Sequence, residues 1–176
     1  MITVISATNR PDNHTVRFAQ KYLELLKKRG VESQLFNLEE LPDSFGLKSI
    51  YSYHHPELQL LIDKYLIPAD KLVVVVPEYN GGIPGVFKVF IDAVKPELFQ
   101  SKKVALVGIS SGRSGNLRGL DQLTNIFNYL NSEVFSYKVP VSNVLTLFSD
   151  NGTINDEVTI KALDFQIEKF LKYCNN

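Results

Sequence analysis

The loop at residues 77–85 carries the residue types best suited to chemistry in this chain. It follows the apolar run at residues 72–76, whose β-branched residues predict a strand buried on both faces in the middle of a parallel sheet. The glycine pair 81–82 permits close backbone approach, and Tyr79 and Asn80 add an aromatic ring and an amide. Open α/β sheets bind ligands at the carboxyl ends of such strands. The loop therefore predicts a slot for a flat ligand, with a plain turn as the alternative.

A second loop, at residues 6–15, has the composition of an anion site. Hydroxyl and amide side chains lead into a helix N-terminus, where peptide dipoles and N–H groups favour negative charge, and an arginine adds a fork of donors. We expect a phosphate to bind at Thr8, Arg10, Asn13 and Thr15. The loop lacks the glycines of the dinucleotide fingerprint and of the P-loop, which disfavours a nucleoside triphosphate. Simple helix capping by Asn13 or Thr15 is the alternative.

A third loop, at residues 110–116, is small and polar and ends where a helix begins. Its residues Ser110, Ser111 and Gly112 can bring hydrogen-bond donors close to a ligand that lies across the sheet edge. A flexible connector is the alternative.

The elements around these loops alternate between strands and helices. Strands are predicted at residues 2–6, 33–37, 71–76, 103–109 and 134–139, and helices at residues 13–29, 56–66, 84–94, 117–131 and 156–172. Apolar strands separated by helices indicate a three-layer α/β/α sandwich with a five-stranded parallel sheet in the order 2-1-3-4-5. In that order the ligand crevice lies between strands one and three, where the polar loops meet.

Length and charge narrow the function. With 176 residues, the chain has the length of one domain, and we expect residues 1–176 to form one. Its 19 basic and 19 acidic residues cancel, which disfavours nucleic acid and anionic membranes as partners. Met1 leads into no signal-type segment, no run approaches the ~18 apolar residues of a membrane span, and the single cysteine, Cys174, fits a reducing compartment. We expect a soluble cytoplasmic protein with no metal site.

The first two loops resemble those of a known family. Residues 77–85, with Phe87-Lys88 and Ile91-Asp92, are similar to the P-E-Y-N-x-x-x-P-G-x-x-K-x-x-I-D signature of the NAD(P)H-dependent FMN reductases, flavodoxin-like enzymes that include azoreductases and quinone or chromate reductases. Residues 6–15 resemble the family's G-S-x-R-x-x-S-x-N/T phosphate loop, with Ala7 replacing the glycine and Asn13 replacing a serine. The third loop departs from the family because it has Arg113 and Asn116 in place of the doubled glycines of many members. Arg113 would either meet the phosphate of a nicotinamide cofactor or point to water, and we expect water.

The resemblance implies a flavodoxin-like FMN-binding domain and an FMN-dependent oxidoreductase. Hydride would pass from NAD(P)H to flavin N5 and then to a small acceptor, such as a quinone, azo compound, flavin or metal oxyanion, by a ping-pong mechanism. The implied cofactor contacts are Thr8, Arg10, Asn13, Thr15, Pro77, Glu78, Tyr79, Asn80, Gly81, Ser110, Ser111 and Gly112. Backbone N–H groups of Asn80 and Gly81 would stabilise the reduced ring, and no catalytic side chain is implied.

Family members are usually dimers or tetramers with the flavin near the interface, so the resemblance implies a homodimer or homotetramer. The aromatic and polar residues Tyr51, Tyr53, His54 and His55 could roof the site, with an irregular surface loop as the default interpretation. A flavodoxin-like FMN electron carrier that serves a protein partner is the alternative, and the balanced charge disfavours the acidic docking surface such carriers often have. A ligand-free interaction module on the same fold is a third reading. Phosphatase chemistry on this type of sheet needs a cysteine in the first loop, and none is there.

Overall fold

The computed structural model describes residues 1–51 and 55–175. Its strands are β1 (Ile2–Ser6), β2 (Ser33–Asn37), β3 (Lys71–Pro77), β4 (Lys103–Ile109), β5 (Glu133–Val134) and β6 (Val139–Val141). Its α-helices are α1 (His14–Lys28), α2 (Pro56–Tyr65), α3 (Gly85–Ala93), α4 (Leu117–Tyr129) and α5 (Glu157–Cys174). Short 3-10 helices lie at Leu38–Glu40, Leu47–Tyr51, Pro96–Leu98 and Val144–Thr146.

The sheet has the strand order predicted from the sequence. Its strands run β2-β1-β3-β4-β5, all parallel, so the flavodoxin-like order is confirmed. The chain turns in opposite directions from β1 and from β3, and the register of these two neighbours pairs Ser6 with Val75. The loops after β1 and β3 therefore leave the same edge of the sheet side by side.

The predicted fifth strand at residues 134–139 is wrong as a continuous element. The structure divides it into β5 and β6, which pair with different parts of β4, so the sheet has six strands instead of five. Gln166 of α5 explains the break, because its fully buried amide donates to the carbonyl oxygens of Leu106 at 3.0 Å and Tyr137 at 2.8 Å. A side chain thus satisfies backbone groups that a strand ladder would otherwise use.

Alternate residues of the buried strands point to opposite helical layers. In β3, Val73 and Val75 pack with the side chains of α1 and α5, including Phe18 and Phe170. The intervening residues of β3, Leu72, Val74 and Val76, pack instead with Leu58 and Ile62 of α2, Phe87 and Phe90 of α3, and Leu120 and Leu123 of α4. The two apolar layers hold the sheet between them, which leaves its carboxyl edge to the polar loops.

Close packing at β4 requires a glycine. A Cβ built at Gly108 would collide with the carbonyl oxygen of Gly115 and lie 3.0 Å from the Leu120 side chain, so the absence of a side chain lets the loop after β4 fold back onto its own strand. We expect Gly108→Ala to lower the free energy of unfolding by about 2 kcal/mol, as overpacking does. Urea denaturation measures this change.

Gly85→Ala is the matched control, because a Cβ at that exposed position in α3 meets no heavy atom within 4 Å. The control is expected to keep or slightly raise the stability, since alanine favours a helix more than glycine does. Equal stability of Gly108→Ala and Gly85→Ala would contradict the packing explanation.

Candidate functional site

The three polar loops meet at one cavity of about 520 Å³. Its walls come from the loop between β1 and α1, the end of β3 with its following loop, the end of β4, and the 3-10 helix after β6. The lining residues are Arg10, Pro11, Asp12, Asn13, His14, Thr15, Pro77, Glu78, Tyr79, Ile109, Ser110, Ser111, Val144 and Leu145. This volume lies within the range of small-molecule sites in proteins.

The loop after β3 forms a tight turn whose two central N–H groups have no acceptor in the described part of the chain. Tyr79 and Gly82 exchange backbone hydrogen bonds of 2.9 and 3.1 Å, and the residues between them have φ values of 52° at Asn80 and 79° at Gly81. Two central residues with positive φ are the mark of a type I′ turn, which only asparagine and glycine adopt readily. The Asn80 and Gly81 N–H groups have no acceptor among the hydrogen bonds of the described residues. They remain able to donate to a ligand, although Asn80 and Gly81 are not themselves among the residues that line the cavity.

The start of α1 offers further backbone donors. The N–H groups of His14 and Thr15, the first two residues of the helix, have no partner in the described part of the chain. They lie at the positive end of a 15-residue helix, and both residues line the cavity. Arg10 is exposed and lines the same wall. This wall fits an anion, although the exposed Asp12 also lines it and adds one negative charge.

Asn13 is the N-cap of α1, which was the alternative to a phosphate contact. Its oxygen accepts from Val16 N–H at 2.8 Å, which caps α1. Its amide donates to the Arg10 carbonyl oxygen and to Glu39 Oε1, both at 2.7 Å. Both amide hydrogens are therefore engaged, so the side chain holds the loop in place, and the predicted phosphate contact would need one of these bonds to open.

Thr8 lies beneath the cavity wall. The residue is fully buried, and its hydroxyl forms a 2.9 Å hydrogen bond with the Tyr79 hydroxyl and accepts from Arg10 N–H at 3.3 Å. A hydroxyl has one donor and two acceptor positions, so most of its capacity is used within the protein. Of the four residues predicted to hold phosphate, Arg10 and Thr15 line the cavity with no engaged side-chain donor described, whereas Thr8 and Asn13 brace the loop.

The loop after β4 is held in place by the segment that follows β6. The Ser110 carbonyl oxygen accepts from Val144 N–H at 3.2 Å, and the Gly112 carbonyl oxygen accepts from Asn143 N–H at 2.9 Å. Ser110 Oγ accepts from Gly112 N–H at 3.1 Å. Ser110 and Ser111 reach the cavity lining, while Gly112 supports the loop. These hydrogen bonds favour the predicted ligand-site wall over the alternative of a flexible connector.

Two side chains at the site have perturbed acidity. The Ser114 hydroxyl donates to Glu78 at 2.6 Å, and this bond, aided by Ser110 and the charge of Arg118, lowers the pKa of the Glu78 carboxyl. Glu78 is therefore ionised at neutral pH. Burial, followed by the charges of Arg17 and Arg10, lowers the pKa of His14 from its ordinary value. Its ring packs 5.0 Å from Phe148.

Sequence reasoning missed several residues around the cavity. Val144 and Leu145 form an apolar wall, but they lie in a connection whose pattern gave no signal. Arg118 lies beside Gly81, with its guanidinium 3.7 Å from the position of a Cβ built there. Its place in the first turn of α4, directly after the third loop, was the available signal. Glu39 follows β2, the strand beside β1, and its position became evident only through Asn13.

Arg113 and the described residues of the candidate roof do not line the cavity. Arg113 is exposed and its carbonyl oxygen accepts from Ser142, which agrees with the expectation that its side chain points to water. Of the candidate roof, residues 52–54 lie outside the described residues, Tyr51 is exposed, and His55 caps α2 through Leu58 N–H at 3.3 Å. Within residues 1–51 and 55–175, no group of three or more potential metal ligands occurs. No helix in the same part of the chain is long and apolar enough to cross a bilayer.

Comparisons with known proteins agree with this geometry. Residues 1–145 match the family model described as NADPH-dependent FMN reductase. Over 125 residues the chain is 28% identical to a 2-hydroxy-1,4-benzoquinone reductase from a Burkholderia species, covering 68% of each chain. Over 113 residues it is 27% identical to an FMN-dependent NADPH-azoreductase from Staphylococcus aureus, covering 62% of this chain and 60% of the relative.

The fold is shared with solved structures at low sequence identity. A flavoenzyme NAD(P)H:(acceptor) oxidoreductase from Paracoccus denitrificans superposes with a TM-score of 0.77 at 22% identity, covering 97% of this chain and 94% of the other. At this identity the likeness establishes the fold alone. The match to the family model spans residues 1–145, which include all three loops at the cavity.

The role of Asn13 as the N-cap of α1 is testable through the free energy of unfolding. We expect Asn13→Ala to lower the free energy of unfolding by about 1 kcal/mol, because it removes the cap of α1. Asn13→Ser keeps an oxygen that can accept from Val16 N–H and should lose less. Thermal and urea denaturation compare the two variants, and equal losses would show that the cap is not the source of the effect.

Proposed function

The chain belongs to the NADPH-dependent FMN reductase family, and we propose that it passes electrons from NAD(P)H through FMN in this cavity to a small organic acceptor. The family match confirms the resemblance, the enzyme class and the expected cofactors, FMN with NAD(P)H as co-substrate. Beyond that class, we propose that residues 1–176 form a single FMN-binding domain and that the site residues take the roles described below.

One observation carries this proposal. Two separate groups of backbone donors lie at one cavity: the first amides of α1 in one wall, and the Asn80 and Gly81 amides in the turn that directly follows the lining residue Tyr79. FMN has a phosphate at one end and a flat ring with polar edges at the other, so a single molecule can use both groups. The donors of this chain therefore fit the cofactor of its family.

At the phosphate end, the side chain of Arg10 and the N–H groups of His14 and Thr15 supply the donors. A helix N-terminus and an arginine are a common pairing for a phosphate. Asn13 and Thr8 act behind them by fixing the backbone on both sides of Arg10. The ring of His14 packs against Phe148, while its backbone N–H stays available at this wall.

At the ring end, the turn at residues 79–82 supplies hydrogen bonds and the third loop supplies a wall. FMN, when bound, accepts a hydride from NAD(P)H and delivers two electrons to the acceptor. The Asn80 and Gly81 N–H groups, held by the Tyr79–Gly82 backbone pair, are placed to favour negative charge at the ring edge. Arg118, beside Gly81, adds positive charge to the same region. We propose that Pro77 and Ser110 border the ring.

The acceptor and the nicotinamide are proposed to use the same open side of the cavity in turn, which is a ping-pong sequence. The side chain of Leu145 is 62% exposed at the cavity, and with the buried Val144 it offers an apolar surface for a flat acceptor. Quinones and azo compounds are the proposed acceptor classes, because the names of the two curated relatives specify them. We also propose a homodimer or homotetramer, since Tyr51 and Tyr129 are 81% and 87% exposed on the single chain.

Anaerobic reduction tests the enzymatic function. The FMN-loaded protein is expected to lose its flavin absorbance on addition of NADPH or NADH, and to regain it when a benzoquinone is added. A flavodoxin-like electron carrier would instead be bleached by dithionite and stay oxidised in the presence of either nicotinamide. Absence of bleaching by both nicotinamides would overturn the reductase proposal.

The phosphate site is tested by Arg10→Ala. Loss of a charge-assisted hydrogen bond to phosphate is expected to weaken FMN binding by about tenfold or more, while riboflavin, which has no phosphate, keeps its affinity. Fluorescence titration of the apoprotein with both flavins measures this difference.

Arg29→Ala provides the matched control. Arg29 lies beyond the opposite end of α1, where it pairs with Asp164 at 2.7 Å, so its removal should leave both affinities unchanged. An unchanged FMN affinity in Arg10→Ala would refute the assigned phosphate site.

A further inference from the structure

The hydrogen-bond ladder between β1 and β3 ends just below the cavity. Its last backbone bond runs from Ala7 N–H to the Val75 carbonyl oxygen at 2.9 Å. Beyond this bond, the backbone after β1 continues into the loop that leads to α1. The backbone after β3 continues into the loop that forms the type I′ turn. The crevice between them is the ligand site, so the distance between the loops is no longer set by the sheet.

One side-chain hydrogen bond joins the loops across this crevice. Thr8 Oγ1 and the Tyr79 hydroxyl lie 2.9 Å apart, although 71 residues separate them in the sequence. Within the described residues, no other hydrogen bond connects residues 8–13 with residues 78–82. Thr8 is fully buried and Tyr79 is half-buried at the cavity wall, so the bond is partly buried at the base of the crevice.

Each partner of this bond also fixes a part of the ligand site. Thr8 Oγ1 accepts from Arg10 N–H, which orients the backbone of the arginine at the phosphate wall. Tyr79 lines the cavity and is the first residue of the turn that carries the free Asn80 and Gly81 amides of the proposed ring subsite. This hydrogen bond, the Thr8–Tyr79 bridge, therefore links the two groups of donors directly. It does so without any contribution from a ligand atom.

We propose that Thr8 and Tyr79 form a paired positioning device that sets the separation between the phosphate and ring subsites. Thr8 acts through Tyr79 and the Arg10 backbone, and not as a direct ligand of the phosphate. This inference rests on the proposed FMN site and deepens it. A ligand that engages both subsites at once gains from their fixed spacing, because the second contact is then intramolecular. A ligand that engages only the ring subsite does not.

The ratio of the riboflavin to the FMN dissociation constant measures that gain. It is determined for wild type, Thr8→Val, Tyr79→Phe and the double variant by titration of the apoproteins. Both substitutions nearly preserve the side-chain volume and remove the bridge. We expect each single variant to lower the ratio by about fivefold, which is the scale of one hydrogen bond, and the double variant to lower it no further.

Three results would overturn the proposal. A lower ratio in Thr8→Val with an unchanged ratio in Tyr79→Phe would make Thr8 a direct phosphate ligand. An unchanged ratio in both single variants, including equal weakening of both flavins by Tyr79→Phe, would leave the bridge without a role in spacing. Independent losses that add in the double variant would show that the residues act separately.

Two further measurements separate this device from general damage. Thr8→Ser keeps the hydroxyl and is expected to retain the wild-type ratio, and circular dichroism with thermal denaturation checks that all variants are folded. If wild type binds neither flavin, both this inference and the FMN site are overturned. If wild type prefers FMN but the variants keep that preference, only the bridge is overturned.

Discussion

The parallel pairing of β1 with β3 is the constraint on which the site depends. The register that aligns Ser6 with Val75 brings the loop before α1 and the loop before α3 to one edge of the sheet. Parallel neighbours whose connecting helices lie on opposite faces leave a crevice between their loops, because neither helix covers the gap. The apolar layers on both faces keep these strands in place, so the positions of Arg10 and Gly81 follow from packing some distance below them.

Polar side chains at the crevice serve mainly to order the backbone. The side chain of Asn13 forms three hydrogen bonds within the protein, with Val16 N–H at the start of α1, with the Arg10 carbonyl oxygen and with Glu39. Thr8 and Ser110 similarly bond to protein groups. Backbone amides at the helix start and the turn are the groups that remain able to donate outward. Such donors are held by covalent geometry and lose little freedom on binding, which suits a site whose chemistry is supplied by a cofactor.

Much of the architecture was predictable because strand and helix signals are local. β1, β2 and β4 begin and end at the predicted residues, and the strand order follows from alternation with helices. The fifth strand could not be placed, because its interruption depends on Gln166, a polar residue on a distant helix that satisfies carbonyl groups at the break. Asn13 and Thr8 were recognised as polar residues of the loop, but their partners, Glu39 and Tyr79, come from other parts of the chain.

The sequence by itself determined the fold class, the three loops and the family, since apolar periodicity, turn residues and a long local motif are all properties of neighbouring residues. Only the tertiary structure decided which polar groups face the ligand and which face the protein. A hydroxyl or amide has the same identity in both roles, and its hydrogen-bond partners depend on residues far away in the chain. The free amides of Asn80 and Gly81 lie between these cases, because their turn is encoded locally but its place at the same sheet edge as the loop after β1 comes from the pairing of β1 with β3.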